Sequence, residues 1–304
     1  MEELKGFKDM LSRLESHRKR WRVAVVCAGD ESTRIAAEWI LEKQFADIVF
    51  VGDSETVKSD ERLAQYSGHW SVVETASSDE AARMAVGMAR EGKADIIMKG
   101  MINTDNLLKA ILDKEHGLLM HEAVMTHIAV AQIPSYHKLL FFSDAAVIPM
   151  PTLKQRTEQV RYLVNLCHGI GMKKPKIALT HCTEKINGKT FPITLDYVEV
   201  KEMAARGDFG DCIIDGPMDV KTACSANAMR IKNIISPIDG DADALILPDI
   251  EAGNTFYKTI TLFAQAETAG VLMGTKVPVV LPSRGDDAKS KFYSLALAAW
   301  CCGL

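Results

Sequence analysis

The stretch Pro278-Val-Val-Leu-Pro-Ser-Arg-Gly-Asp-Asp287 decides how the chain is read. Val279 to Leu281 are apolar, mostly β-branched and bounded by two prolines, which predicts a short buried strand. The chain then turns through Pro282, Ser283, Arg284 and Gly285. It re-enters order as a helix whose apolar face is Phe292, Leu295, Ala296 and Ala299, at the i, i+3, i+4, i+7 spacing. A hydroxyl and a guanidinium therefore stand at a strand's carboxyl end, directly before a helix N-terminus. Ligands bind at such ends in open α/β sheets, and a helix N-terminus favours an anion. Arginine adds a planar fork matched to phosphate oxygens. The plainer reading is that Asp286 or Asp287 caps the helix and Arg284 is solvated, and a motif this short does not separate the two.

Upstream, the same grammar repeats. Trp21 to Cys27 predicts a strand, followed by Ala28-Gly29-Asp30 and a helix over about 31–45. Ile48 to Val51 is a second strand, ending at Gly52-Asp53; helices over 55–65 and 79–91 flank a weaker strand at Val72-Val73. Ala94 to Met98 ends on Lys99-Gly100, with a helix from Thr104 to Lys114. Strand, glycine-bearing turn and helix in repetition predict βαβ units and a mostly parallel sheet covered on both faces. Residues 3–20 read as a charged amphipathic helix whose basic end, His17-Arg-Lys-Arg20, is solvated. In the middle, 124–133 and 139–143 predict a hairpin, and 152–168, 197–206, 220–233 and about 255–268 predict helices. Strands at 176–179, 211–214 and 243–247 end on Thr180-His181, Asp215-Gly216-Pro217 and Pro248 to Asn254, and a last segment at 270–273 precedes the opening strand.

The chain has 304 residues, 47% of them hydrophobic, enough for a large core and about two domains. A formal net charge of −4 points to no nucleic-acid or membrane-surface partner. Its seven cysteines form no Cys-x-x-Cys pair and no zinc-spaced cluster, which predicts core thiols in a reducing compartment. The N-terminal residues lack an apolar signal region and no run reaches transmembrane length, so the expectation is a soluble cytoplasmic protein.

Small and polar residues collect at the strand ends: Lys99, Gly100, Asn103 and Thr104; Thr180-His181; Asp215 to Pro217; Glu251, Gly253 and Asn254; Ser283 and Arg284. In a doubly wound sheet such ends can converge on one crevice. Each also has a structural reading: Asn103 or Thr104 and Asn254 are natural helix N-caps, and the glycines are turn formers. His181 beside Cys182 suggests a Cys/His pair, but neighbouring side chains on an extended backbone point apart. Gly-x-Gly-x-x-Gly, Gly-x-x-x-x-Gly-Lys-Ser/Thr, His-Glu-x-x-His and Gly-x-Ser-x-Gly are all missing from the sequence. The residues by themselves give an α/β protein with one anion site.

At Pro248-Asp-Ile-Glu-Ala-Gly-Asn-Thr-Phe-Tyr-Lys258 and Pro282-Ser-Arg-Gly-Asp-Asp-Ala-Lys-Ser-Lys-Phe-Tyr-Ser-Leu-Ala-Leu297 the sequence resembles the phosphate acetyltransferase/phosphate butyryltransferase family. Met98 to Met101 with Thr104, Asp215-Gly-Pro217 and the valine-rich first strand extend the resemblance in matching order over most of the chain. The Ile-Glu-Ala-Gly-Asn and Ser-Arg-x-Asp forms lean toward the butyryl branch. The resemblance implies reversible acyl transfer between coenzyme A and inorganic phosphate, by direct attack in a ternary complex. Coenzyme A would be a substrate, with no metal or permanently bound cofactor. It implies two doubly wound α/β domains of isocitrate dehydrogenase-like architecture with a cleft between them: 1–135 plus 278–304, and 136–277. It also implies a homodimer or larger homo-oligomer.

By position, Arg284 takes the role of phosphate or acyl-phosphate binding and Ser283 that of meeting the developing oxyanion or thiol. The acetyl branch's aspartate, seven residues beyond the serine, is Ser290 here, and Asp286 is its nearest substitute as acid or base. A family arginine after the Lys-Gly turn is replaced by Lys109, which keeps the charge without the fork. The aspartate near the Asp-Gly-Pro loop falls on Lys221, with Asp219 two residues earlier and no role attached. Lys99, Gly100, Thr104, Lys109, Glu251, Gly253 and Asn254 are the expected substrate contacts. Competing readings are phosphate acetyltransferase, a decarboxylating dehydrogenase of the same general fold, and a non-catalytic CoA- or phosphate-binding protein. The dehydrogenase would need a metal-binding carboxylate set, and the aspartates do not form a clear one.

Overall fold

The computed structural model describes residues 3–17, 19–52, 54–283 and 285–303. The chain begins with α1 (Phe7–Ser16), β1 (Trp21–Val26), α2 (Glu31–Glu42), β2 (Ala46–Gly52), α3 (Glu55–Lys58), α4 (Glu61–Ala64), β3 (Trp70–Glu74), α5 (Ser78–Arg90), β4 (Ile96–Lys99) and α6 (Thr104–Ile111). It continues through β5 (Thr126–Gln132), β6 (Leu139–Ser143), α7 (Leu153–Gly169), β7 (Lys176–Thr180), α8 (Ile193–Ala205), β8 (Ile213–Met218), α9 (Val220–Ala223), α10 (Ala226–Ile231), β9 (Ala244–Ile246) and α11 (Ile250–Phe263). Last come β10 (Glu267–Met273), β11 (Val279–Val280) and α12 (Ala288–Cys301).

These elements make two compact α/β units, Phe7–Met125 with Thr268–Leu304, and Met1–Gly6 with Thr126–Glu267. The limits drawn from sequence, at 135 and 278, fall later in the chain at both crossings. Backbone pairing explains the difference. β5 pairs antiparallel with β6 and so goes with the second unit, while β10 pairs antiparallel with β11 and so goes with the first. No helix among the described residues is long and apolar enough to cross a membrane.

In the first unit the strands are ordered β3-β2-β1-β4-β11-β10. All but β10 run parallel. The chain winds outward from β1 to β3 and then crosses to β4, on the other side of β1. That reversal puts the topological switch point, where such sheets bind ligands, between β1 and β4. On its far side β4 pairs with β11, Val279 opposite Ile97 and Val280 opposite Met98.

Helix α12 departs from its one-faced sequence reading, since every residue from Lys291 to Trp300 is buried. Phe7 of α1 stacks on Tyr293 at 4.3 Å, and Trp39 of α2 meets Phe292 edge-on at 5.7 Å. A helix that is apolar all round is covered all round, so its polar side chains need internal partners.

In the second unit the order is β5-β6-β9-β7-β8, parallel apart from the β5–β6 hairpin. Helix α11 starts earlier than the sequence suggests, because Asp249 caps it by accepting the Ala252 N–H. Elsewhere capping side chains cut predicted helices in two: Asp60 opens α4 and Ser225 opens α10. Arg20, expected in solvent, instead donates to Asp47 at 3.0 Å.

Candidate active site

At the switch point β1 and β4 are stitched together beyond their last residues. Gly100 N–H donates to Val26 O at 2.8 Å and Met101 N–H to Cys27 O at 2.6 Å. A side chain at Gly100 would collide with the Cys27 carbonyl, so the close approach requires glycine. Lys99 just before it is buried, with its ammonium 3.3 Å from the Gly100 carbonyl. Beside it, Asp30 caps α2, its carboxylate accepting the Thr33 N–H at 2.9 Å.

The 283–287 turn follows β11, the other neighbour of β4. Ser283 N–H donates to Asp286 Oδ2 at 2.8 Å, and Asp286 N–H returns to Ser283 O at 3.1 Å. Asp287, not Asp286, caps α12 by accepting the Ser290 N–H at 2.8 Å. The two aspartates thus divide the work that sequence left between them: one closes the turn and the other starts the helix. Ser283 is exposed. Arg284, the sequence's leading phosphate ligand, lies outside the described residues.

Sequence reasoning missed Lys291. It is 3% exposed, and its ammonium donates to Asp30 Oδ1 at 2.6 Å, Ser32 Oγ at 2.7 Å and Thr33 Oγ1 at 3.0 Å. Burial alone would raise the Asp30 pKa. The hydrogen bonds from Lys291, Thr33 and Ser32, with the Lys291 charge, outweigh burial and hold it at about 2. A signal was present: Phe292 to Trp300 carry no charge, so that stretch of helix offers no polar face to water.

Other predicted residues are placed less centrally. Asn103 stands at the N-cap position of α6 but makes no side-chain capping bond, and Thr104 is the exposed first residue of the helix. Lys109 sits in the last turn of α6, not at a strand end. It lines a groove of ≈ 830 Å³ between α5 and α6 with Arg83, Arg90, Asp105 and Asp113.

The second unit holds Glu251, Gly253 and Asn254 in the first turn of α11. A Cβ at Gly253 would run into the Asp144 carbonyl, and Asn254 Nδ2 donates to Ala145 O at 3.1 Å. Both therefore dock α11 on the loop after β6, and Asn254 is not its cap. That loop is organised by buried Asp144, which accepts Thr126 Oγ1 at 2.7 Å and the N–H groups of Ala146 at 2.8 Å and Val147 at 3.0 Å. Buried Arg156 donates to the carbonyls of Pro151, Leu247 and Pro248, fixing the turn that leads into α11. Glu251 stays exposed.

The expectation that His181 and Cys182 point apart is corrected. β7 ends at Thr180, so strand alternation does not reach Cys182, and its sulfur lies 3.6 Å from His181 Nδ1. That nitrogen also accepts the Thr183 N–H at 3.3 Å, and burial holds the imidazole pKa down against the pull of Asp249. Asp215 pairs with Lys201 at 2.6 Å, Asp219 caps α9 and pairs with Lys232, and Lys221 is exposed.

Residues 67–299 match the family described as phosphate acetyl/butaryl transferase. The phosphate butyryltransferase of Clostridium acetobutylicum is 35% identical over 301 residues, 99% of either chain. The phosphate acetyltransferase of Thermotoga maritima is 35% identical over 280 residues, 91% of this chain and 94% of that one. Among solved structures, a branched-chain phosphotransacylase from Enterococcus faecalis is 31% identical with a TM-score of 0.82, covering 93% of this chain and 99% of that one. Similarity of this extent decides the matter: the chain belongs to the phosphate acetyl/butaryl transferase family.

Proposed function

We propose that the protein moves a short acyl group, butyryl or a branched relative, reversibly between coenzyme A and inorganic phosphate. The observation that carries this reading is identity at 35% across 99% of a phosphate butyryltransferase. The reaction is balanced without further reagents. A phosphate oxygen attacks the thioester carbonyl carbon, the carbon–sulfur bond breaks, and the phosphate proton ends on the departing thiolate. The products are acyl phosphate and free coenzyme A.

Two anions must meet, and negative charge grows on the carbonyl oxygen. Positioning and preorganised donors therefore supply most of the acceleration. Arg284 holds phosphate with its two-pronged fork. The exposed Ser283 hydroxyl donates to the oxyanion or the leaving sulfur, and Asp286, already hydrogen-bonded into the same turn, relays the proton. Lys99 and Gly100 line the neighbouring strand end, with Thr104 at the start of α6. Lys109 and Glu251 contact the substrates, while Gly253 and Asn254 set the position of Glu251 by docking α11. No acyl-enzyme forms. Coenzyme A comes and goes as a substrate, and the protein works in the cytoplasm as a homodimer or larger homo-oligomer.

Acetyl transfer is the second reading, since the Thermotoga acetyltransferase is as similar, at 35% identity. Each methylene is worth only about 1–3 kcal/mol of discrimination, so small changes in pocket volume separate the branches. Thiol release from acetyl-, propionyl-, butyryl- and isobutyryl-CoA, with and without phosphate, tests both. A phosphate-dependent maximum at four carbons supports the first reading and a maximum at acetyl the second. Release from none of them overturns both.

A further inference from the structure

The 283–287 turn must be held still if Ser283 and Arg284 are to act together, yet it connects a two-residue strand to a helix. One helical turn on stands a buried charge. Lys291 reaches from α12 to the mouth of α2 and gives all three of its ammonium protons to Asp30, Ser32 and Thr33. The receiving loop is itself pinned. Arg34 donates to Ala28 O at 3.1 Å and Gly29 O at 2.8 Å while pairing with Asp60 at 2.8 Å. The same loop leads back to Val26 and Cys27, whose carbonyls take the N–H groups of Gly100 and Met101. Polar contacts thus connect the start of α12 with the loop after β1, and that loop with the end of β4.

We infer that Lys291, held by Asp30, is a positioning residue for acyl transfer: it ties the start of α12 to the β1–α2 loop and so fixes the Ser283–Asp287 turn. This rests on the reading above for its reaction, but not for its geometry. A lysine needed only for stability would be an odd choice here, because an apolar side chain could fill the same buried place without the desolvation of a charge. Its ammonium carries direction, and misplacement of reacting groups by about 1 Å is enough to slow catalysis on the order of 100-fold.

The test uses the full chain with Lys291→Met, which keeps the stem, Asp30→Asn, which keeps the shape, and Ser32→Ala as a milder cut. Kinetics with saturating phosphate are read beside amide hydrogen exchange. Lys291→Met is expected to lower kcat roughly tenfold or more with the KM for acyl-CoA nearly unchanged, and to speed exchange at 283–287. Asp30→Asn should act alike, Ser32→Ala less, and the Lys291/Asp30 double variant no worse than the worse single one. A lower melting temperature with kcat intact and exchange at 283–287 unaltered would overturn the inference. If the wild-type protein shows no phosphate-dependent thiol release, the reaction assignment fails, and exchange alone still judges the tie.

Discussion

The carboxyl ends of β1, β4 and β11 and those of β6, β7 and β9 carry much the same kinds of residue, but employ them differently. In the second unit Asp144, Arg156, Gly253 and Asn254 are engaged with that unit's own backbone and hold α11 in place. In the first unit the stiffening is done by side chains behind the site, Lys291 with Asp30 and Arg34 with Asp60, and Ser283 is left exposed. A strand end is a good place for chemistry in either unit. Whether its polar groups are already committed decides whether they are available to a ligand.

The comparison breaks if the residues do not behave as these roles require. Arg284→Ala should cost about 100-fold or more in kcat/KM, because a charge-assisted contact of about 3 kcal/mol is lost at the transition state, with the melting temperature unchanged. Wild-type turnover would remove it from the site. Gly253→Ala should act on stability first, destabilising the protein by about 3 kcal/mol in urea unfolding, since a methyl has to fit where the Asp144 carbonyl lies. Wild-type stability would mean that α11 shifts freely.

The first unit's tie can be sharpened with acid. A carboxyl whose folded pKa lies below its unfolded value binds fewer protons when folded. Asp30, held at about 2, therefore contributes stability that is complete above about pH 4 and fades as pH falls toward 2. Asp30→Asn should remove about 2 kcal/mol at pH 7 and flatten the stability curve between about pH 4 and 2. An unchanged curve would show that the network does not hold this carboxylate. The smallest effect is expected at Asp287. Its replacement by alanine removes an N-cap and should lower stability by about 1 kcal/mol, with a smaller loss of kcat than Lys291→Met. Asp286→Asn should do the reverse, slowing turnover more than it lowers the melting temperature.

Much of this was legible in the sequence because local patterns carried it. The prolines around Val279 and Val280, the valine-rich first strand and the Lys99-Gly100 ending announced parallel strands with loaded carboxyl ends. The start of α11 was misread because Asn254 looks as good a cap as Asp249, whereas Asp249 takes the Ala252 N–H and Asn254 is turned to the Ala145 carbonyl. His181 and Cys182 were misjudged because the alternation rule was carried two residues past the strand, which ends at Thr180. Lys291 was hidden for a different reason. Its partners lie some 260 positions away in the chain, and no spacing rule within a helix can name them.

The most direct test of the account counts products. The wild-type protein, given butyryl-CoA and phosphate, should form one acyl phosphate, trapped as its hydroxamate, for each coenzyme A released, and the Ser283→Ala variant should lower both together. Coenzyme A released without matching acyl phosphate, or at the same rate without phosphate, would contradict the central claim that phosphate itself attacks the thioester.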